Sequence, residues 1–254
     1  MANPKPKLRI ITYMCPSHPV ELYELILQYL EEEVGCEASL LYESRGPGPL
    51  ADRFMTASAY VKLLDGKHKY VELLPVAAVY DHPKNKEGVK GYYSDIIIHV
   101  DGHGEDSLSG STVILKNLKE LGENASFFGN TLRSGSHLNS VHMVLTKQAE
   151  AAAVDANTLA YNKKYLQDGG KDIMVLDSIG PLPPYPIVVN SKMDGKQKTK
   201  ITQAILKMPE TRLWGSRLKK FGIIKFVSNS QEAYDKEKEI RDAVKNVSLG
   251  PRYY

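Results

Sequence analysis

Residues 8–42 read LRIITYMCPSHPVELYELILQYLEEEVGCEASLLY. The opening run, 8–14, is apolar and rich in β-formers, and predicts a strand. Pro16, Ser17 and Pro19 interrupt it. Over 20–34 apolar side chains recur at Val20, Tyr23, Ile26, Leu27, Leu30 and Val34, with acids on the opposite face, which is the spacing of a helix with one buried stripe. Gly35 stands where a C-cap glycine ends such a helix. A second strand is predicted over 38–42. Strand, helix and strand in succession are the repeating unit of an α/β fold.

The same alternation continues outward from this stretch. A short helix is predicted over 58–64, strands over 70–80 and 92–100, and a helix over 109–121 entered through Asp106-Ser-Leu-Ser-Gly-Ser111. A helix over 137–147 follows the loop Arg133-Ser134-Gly135-Ser136, and a buried strand over 151–154 leads into a helix after Asp155. Strands over 173–176 and 186–190 flank a proline-rich turn at 180–184, whose extended X-Pro geometry suits a crossing between two lobes. A helix over 197–207, a strand over 223–227 and an amphipathic helix over 231–244 complete the chain. This order predicts α/β architecture with largely parallel sheets.

Composition narrows the function. The 254 residues are 42% hydrophobic and 25% charged, which is ordinary globular usage. A net charge of +3, with no dense Lys/Arg stripe interleaved with aromatics, speaks against nucleic acid. The two cysteines, Cys15 and Cys36, form neither a disulfide framework nor a zinc pattern, and read as buried thiols. No apolar run approaches transmembrane length, and the residues before Leu8 hold no apolar core of secretory type. The expectation is a soluble, cytoplasmic protein without membrane insertion. Gly-x-Ser-x-Gly, a P-loop and His-Glu-x-x-His are all absent from the sequence, which leaves a small hydrolase poorly supported.

Three features point to chemistry. The run Asp106–Ser111 places hydroxyls and a glycine at a predicted helix start, where N–H and O–H donors and the helix dipole favour an anion; the same residues also serve as ordinary helix caps. Ser134-Gly135-Ser136-His137 repeats the arrangement with an imidazole that can donate to an oxyanion, or with a capping serine and a surface histidine. Tyr60, Tyr92, Tyr93 and Tyr185 stand at predicted element ends, where ligand crevices of open α/β sheets form. Asp155 closes a strand and can bind a ligand amine or cap the next helix.

Taken in order, Asp106-Ser-Leu-Ser-Gly-Ser111, Phe127-Phe128-Gly129, Ser134-Gly135-Ser136-His137, Ala152-Ala153-Val154-Asp155, Ser178-Ile179-Gly180-Pro181-Leu182-Pro183 and Pro186-Ile187-Val188-Val189 resemble the phosphonate, phosphite and phosphate-binding proteins of ABC transporters. The resemblance spans roughly 8–244 and includes the late stretch from Phe221-Gly222-Ile223 to Tyr234-Asp235. It implies a type 2 periplasmic-binding-protein-like fold: two α/β lobes with a ligand cleft between them, one from 1–100 and 178–254, the other from 101–177. It implies non-enzymatic binding of a small phosphorus oxyanion, no cofactor, no metal, and an ABC transporter permease as partner. Carried over by position, Ser107, Ser109, Gly110, Ser111 and His137 would hold the oxyanion, Tyr60 and Tyr92 would line the cleft, and Asp155 and Tyr185 fall where relatives vary with the ligand. Leu108 stands where the family often has a polar residue. The chain is also short ahead of Phe54 and between Asp101 and the serine run, where only Gly102-His103-Gly104-Glu105 intervenes. A strand missing there would leave its neighbours unpaired. An intracellular scaffold or regulator that kept the fold and lost the ligand is the alternative.

Overall fold

The structure is a computed structural model that describes residues 5–12, 18–42, 52–54, 60–61, 70–102, 108–109, 120, 122, 132 and 134–244. The chain divides into two compact units, Met1–Gly91 with Pro183–Asp235, and Tyr92–Leu182 with Lys236–Tyr254.

The first unit is built on a five-stranded sheet. Its strands are β1 (Lys7–Thr12), β2 (Glu37–Tyr42), β3 (Asp52–Phe54), β4 (Val71–Leu73) and β10 (Ile187–Asn190), in the order β2-β1-β3-β10-β4. β1 pairs parallel with β2 and β3, while β10 runs antiparallel to β3 and β4. Helix α1 (Val20–Val34) forms where its periodicity predicts and ends at Gly35, whose φ of 69° and N–H to the Glu31 carbonyl make a left-handed cap. Its buried face is wider than one stripe: Leu22, Leu25 and Tyr29 join Tyr23, Ile26, Leu30 and Val34. The reason is a second layer, since α4 (Gly195–Lys207) and α5 (Arg212–Lys219) pack against α1, and the Tyr29 hydroxyl donates to the Ala204 carbonyl at 2.9 Å. Helix α5 has no counterpart among the predicted elements.

A separate antiparallel pair, β5 (Val76–Tyr80) and β11 (Ile223–Ser228), belongs to the same unit. The single strand predicted over 70–80 is therefore two strands in two sheets, divided at Leu74-Pro75. Pro75 has no N–H to give a ladder. The helix predicted over 231–244 is likewise divided, into a 3-10 turn at Gln231–Tyr234 and helix α6 (Asp235–Val244). Of the helix predicted over 58–64, Tyr60 and Val61 are described and are helical.

The second unit centres on β6 (Tyr92–His99), with β8 (Ala151–Asp155) on one side and β9 (Ile173–Leu182) on the other, both antiparallel. β7 (Leu108–Ser109) pairs parallel with β8. Leu108 and Ser109 are thus strand residues, and Ser109 does not open a helix; residues 110–119 lie outside those described. Helices α2 (His137–Leu145) and α3 (Ala156–Lys163) cover this sheet, burying Ile97, Val141, Val144, Ala152, Val154, Leu159 and Ile173 as one core. β9 is much longer than the predicted 173–176 and runs through a cis Gly180-Pro181 bond where a turn was expected. A Cβ at Gly180 would lie 2.6 Å from Tyr93 Cδ1 and 2.9 Å from the Tyr92 carbonyl oxygen, so only glycine fits.

Among the described residues three strand pairings are parallel and five antiparallel, so the sheets are mixed and not largely parallel. Among the described residues around the two short joins, β3 is paired by β1 and β10, and β6 by β8 and β9. No described helix is long and apolar enough to cross a membrane.

Candidate functional site

Several of the proposed ligand contacts meet at one end of the second unit's sheet. β8 runs directly into α3, with Asp155 as both last strand residue and helix N-cap. Asp155 is 2% exposed, and its Oδ1 accepts from the Thr158 N–H at 2.9 Å and from the Thr158 hydroxyl at 3.3 Å. The capping alternative read from the sequence is the role its Oδ1 fills. Helix α2 packs on β8 and its chain returns to the start of that strand, so the N-terminus of α2 stands beside the end of β8. There the backbone N–H of Asp155 donates to Nδ1 of His137 at 3.4 Å. A backbone N–H can only donate, so Nδ1 is the acceptor and the imidazole proton sits on Nε2. His137 therefore carries an N–H donor on its outer nitrogen.

The loop leading to His137 is held by its own hydroxyls. Ser136 caps α2 by accepting from the Asn139 N–H at 3.1 Å. The Ser134 hydroxyl donates to the Ser136 carbonyl at 3.0 Å and lies 2.7 Å from the Ser140 hydroxyl, and Asn139 Nδ2 donates to the Ser134 carbonyl at 2.8 Å. Gly135, at φ 80°, makes the bend that no other residue makes without strain. Helix α2 has a neutral cap and no acid in its first turn, so its start keeps its partial positive charge, whereas the start of α3 is capped by the Asp155 carboxylate.

Ser94 faces Asp155 in the β6–β8 register, and its hydroxyl donates to the Val154 carbonyl at 3.3 Å. β7, lying parallel to β8, runs toward the same end. Tyr92 begins β6 at this end and is half-buried. Ser107, Gly110 and Ser111 lie outside the described residues, as does the side chain of Ser109.

Tyr60 and Tyr185 are in the first unit. Tyr60 is 2% exposed and packs edge to face on Tyr234 at 4.9 Å between ring centres, in a core with Val61 and Val188. Tyr185 is half-buried and stands edge-on to His18 at 4.6 Å. His18 Nε2 lies 2.6 Å from the Tyr80 hydroxyl, and burial pulls its pKa down to about 4. These rings, with Tyr23, Ile187 and Phe226, surround a cavity of about 30 Å³, enough for a single water-sized group. Sequence reasoning missed His18. The available signal was its place just after a predicted strand, between Ser17 and Pro19. Among the described residues no three His, Cys, Asp or Glu side chains come together to hold a metal ion.

No curated protein matches the chain. Solved structures do. A binding protein component of an ABC phosphonate transporter from Pseudomonas aeruginosa superposes with a TM-score of 0.72 at 15% identity, covering 93% of this chain and 86% of that one. PhnD1 from Prochlorococcus marinus, in complex with methylphosphonate, gives 0.65 at 13% identity, covering 96% of this chain and 100% of that one. A Xanthomonas citri protein bound to chloride ion gives 0.63 at 16% identity, covering 94% and 97%. These likenesses establish the type 2 periplasmic-binding-protein fold, with two α/β lobes. The family described as ABC transporter, phosphonate, periplasmic substrate-binding protein matches residues 82–234, more than half of the chain. That is a family of binding proteins and not of enzymes. The alternation of strands and helices, the mixed sheets and this match agree, and the chain belongs to the phosphonate substrate-binding family of ABC transporters.

Proposed function

We propose that this chain binds a small phosphorus oxyanion of the phosphonate, phosphate or phosphite type, without transforming it, and hands it to an ABC transporter permease. The observation that carries the reading is the Asp155 N–H to His137 Nδ1 bond, which leaves Nε2–H as a donor at the start of α2, which holds no first-turn acid. Such donors suit an oxyanion. In this reading His137 acts with Ser107, Ser109, Gly110 and Ser111, Tyr92 lines the ligand, and Asp155 positions His137 and α3. Tyr185 is a contact for the organic part of the ligand. Tyr60 acts from the core, through packing. Family membership and the methylphosphonate bound by the Prochlorococcus neighbour support the ligand class. The family is described as periplasmic, and that description gives a cytoplasmic location no support.

The test is a thermal-shift panel of phosphate, phosphite, methylphosphonate, 2-aminoethylphosphonate, sulfate and acetate. A ligand at about 100 times its Kd stabilises by roughly 2.7 kcal/mol. A shift with a phosphorus oxyanion that disappears in His137→Ala is the expected result. A cooperatively folded sample that responds to none of these anions would refute the reading.

A further inference from the structure

Charge is unevenly spread along this chain. Residues 192–225, all in the first unit, hold ten Lys or Arg and only two acids, Asp194 and Glu210. That stretch carries +8 and the remainder of the chain −5, which together make the overall +3. The structure turns the excess outward. Along α4 the exposed cations Lys196, Lys200 and Lys207 fall on one stripe of about 16 Å by helical rise, while Ile201, Ala204 and Ile205 are buried. Along α5, Arg212 and Lys219 are exposed on the side away from the buried Trp214, Gly215 and Leu218. Both helices pack on α1 and on β11, whose Lys225 is exposed as well. Of the ten cations, Lys198 pairs with Glu72, and the Arg217 guanidinium lies over the Trp214 ring at 5.2 Å. The other eight are exposed and form no ion pair among the described residues.

We propose that this face of the first unit docks by electrostatic attraction on an anionic phospholipid surface. Three observations choose that partner. Eight of the ten cations are lysines, point charges on flexible stems that suit a diffuse, fluid array of phosphates; geometric recognition of carboxylates on a protein would favour the arginine fork. No exposed aromatic ring accompanies the lysines for base stacking, since Trp214 and Phe226 are buried and Phe221 is half-buried, which disfavours nucleic acid. Leu213 and Ile224 are 53% and 40% exposed and adjoin Arg212 and Lys225 in sequence, as on surfaces that press a few apolar groups into the headgroup boundary. The contact is peripheral, since no described helix is long and apolar enough to cross a membrane.

Co-sedimentation of the full chain with vesicles tests this, with phosphatidylcholine alone against phosphatidylcholine and phosphatidylglycerol in about a 7:3 ratio. The wild type is expected to sediment with the anionic vesicles, to stay in solution with the neutral ones, and to be released at high salt. The variant Lys196→Gln/Lys200→Gln/Lys207→Gln is expected to partition roughly a hundredfold less, since each lysine near such a surface is worth roughly fivefold. A variant of equal charge, Lys86→Gln/Lys164→Gln/Lys171→Gln, removes three exposed lysines outside this face and should partition much as the wild type does. Melting temperatures near wild type verify that both variants are folded. Equal loss in the two variants would overturn the proposal, by reducing the attraction to net charge. So would a folded wild type that leaves anionic vesicles unbound at low salt. Binding to polyglutamate that is not matched on vesicles would overturn it too, and assign the face to an acidic protein.

Discussion

The imidazole of His18 and the hydroxyl of Tyr80, 62 residues apart in the chain, meet at 2.6 Å within the first unit. The histidine is 9% exposed and ringed by Tyr23, Tyr80 and Tyr185. Burial favours its neutral form and lowers its pKa from 6.5 to about 4. The unfolded chain thus binds a proton at His18 where the folded one does not. The associated stability is complete above pH 6.5 and is lost as pH falls toward 4. Urea unfolding at pH 7, 5.5 and 4.5 should show a steeper loss for the wild type than for His18→Phe, by up to roughly 3 kcal/mol across the range. Parallel curves for the two proteins would show that His18 is not held neutral.

Asp155 separates capping from ligand binding. Asn is as good an N-cap as Asp. Asp155→Asn should therefore hold stability and methylphosphonate affinity near wild type, while Asp155→Ala loses about 1 kcal/mol or more of stability by denaturant titration. A selective loss of 2-aminoethylphosphonate binding in Asp155→Asn would instead assign the carboxylate to a ligand amine.

Tyr60 gives the opposite separation. Its ring is in a core with Tyr234 and Val188. Tyr60→Ala should cost about 3–5 kcal/mol of stability, as other large-to-small core changes do. Ligand affinity of the folded fraction, by calorimetry below the melting range, should be little altered. A variant of full stability that has lost binding would make Tyr60 a contact residue.

Gly180 is closed to any side chain. A Cβ there meets the Tyr93 ring at 2.6 Å and the Tyr92 carbonyl at 2.9 Å. Gly180→Ala should destabilise by about 1–3 kcal/mol, the usual cost of overpacking, read as a lower melting temperature. An unchanged melting temperature would mean that β6 and β9 can separate at this point without cost.

Where local pattern and local burial coincide, the sequence was legible. Helix α1 and its Gly35 cap, α2 with its Ser136 cap, and the β8–Asp155–α3 junction all formed where periodicity and capping chemistry put them. The resemblance carried by the ordered motifs led to the right family. Other readings needed distant partners. The run over 70–80 is uniformly strand-like, yet β4 adds to β10 and β5 to β11, strands more than 100 residues away, and Pro75 marks the change of sheet. The parallel pairing suggested by alternation failed because β6 is flanked by two strands that run against it.

By itself, the sequence determined α1 with its Gly35 cap, α2 with its Ser136 cap and the junction of β8 and α3 at Asp155, since these depend on neighbours within a few residues. Tertiary structure alone decided that Tyr60 is a core ring, that His18 is a buried neutral base against Tyr80, and that the Asp155 N–H sets the tautomer of His137. Burial and hydrogen-bond partnership are properties of pairs that the chain brings together from afar, and no local period encodes them.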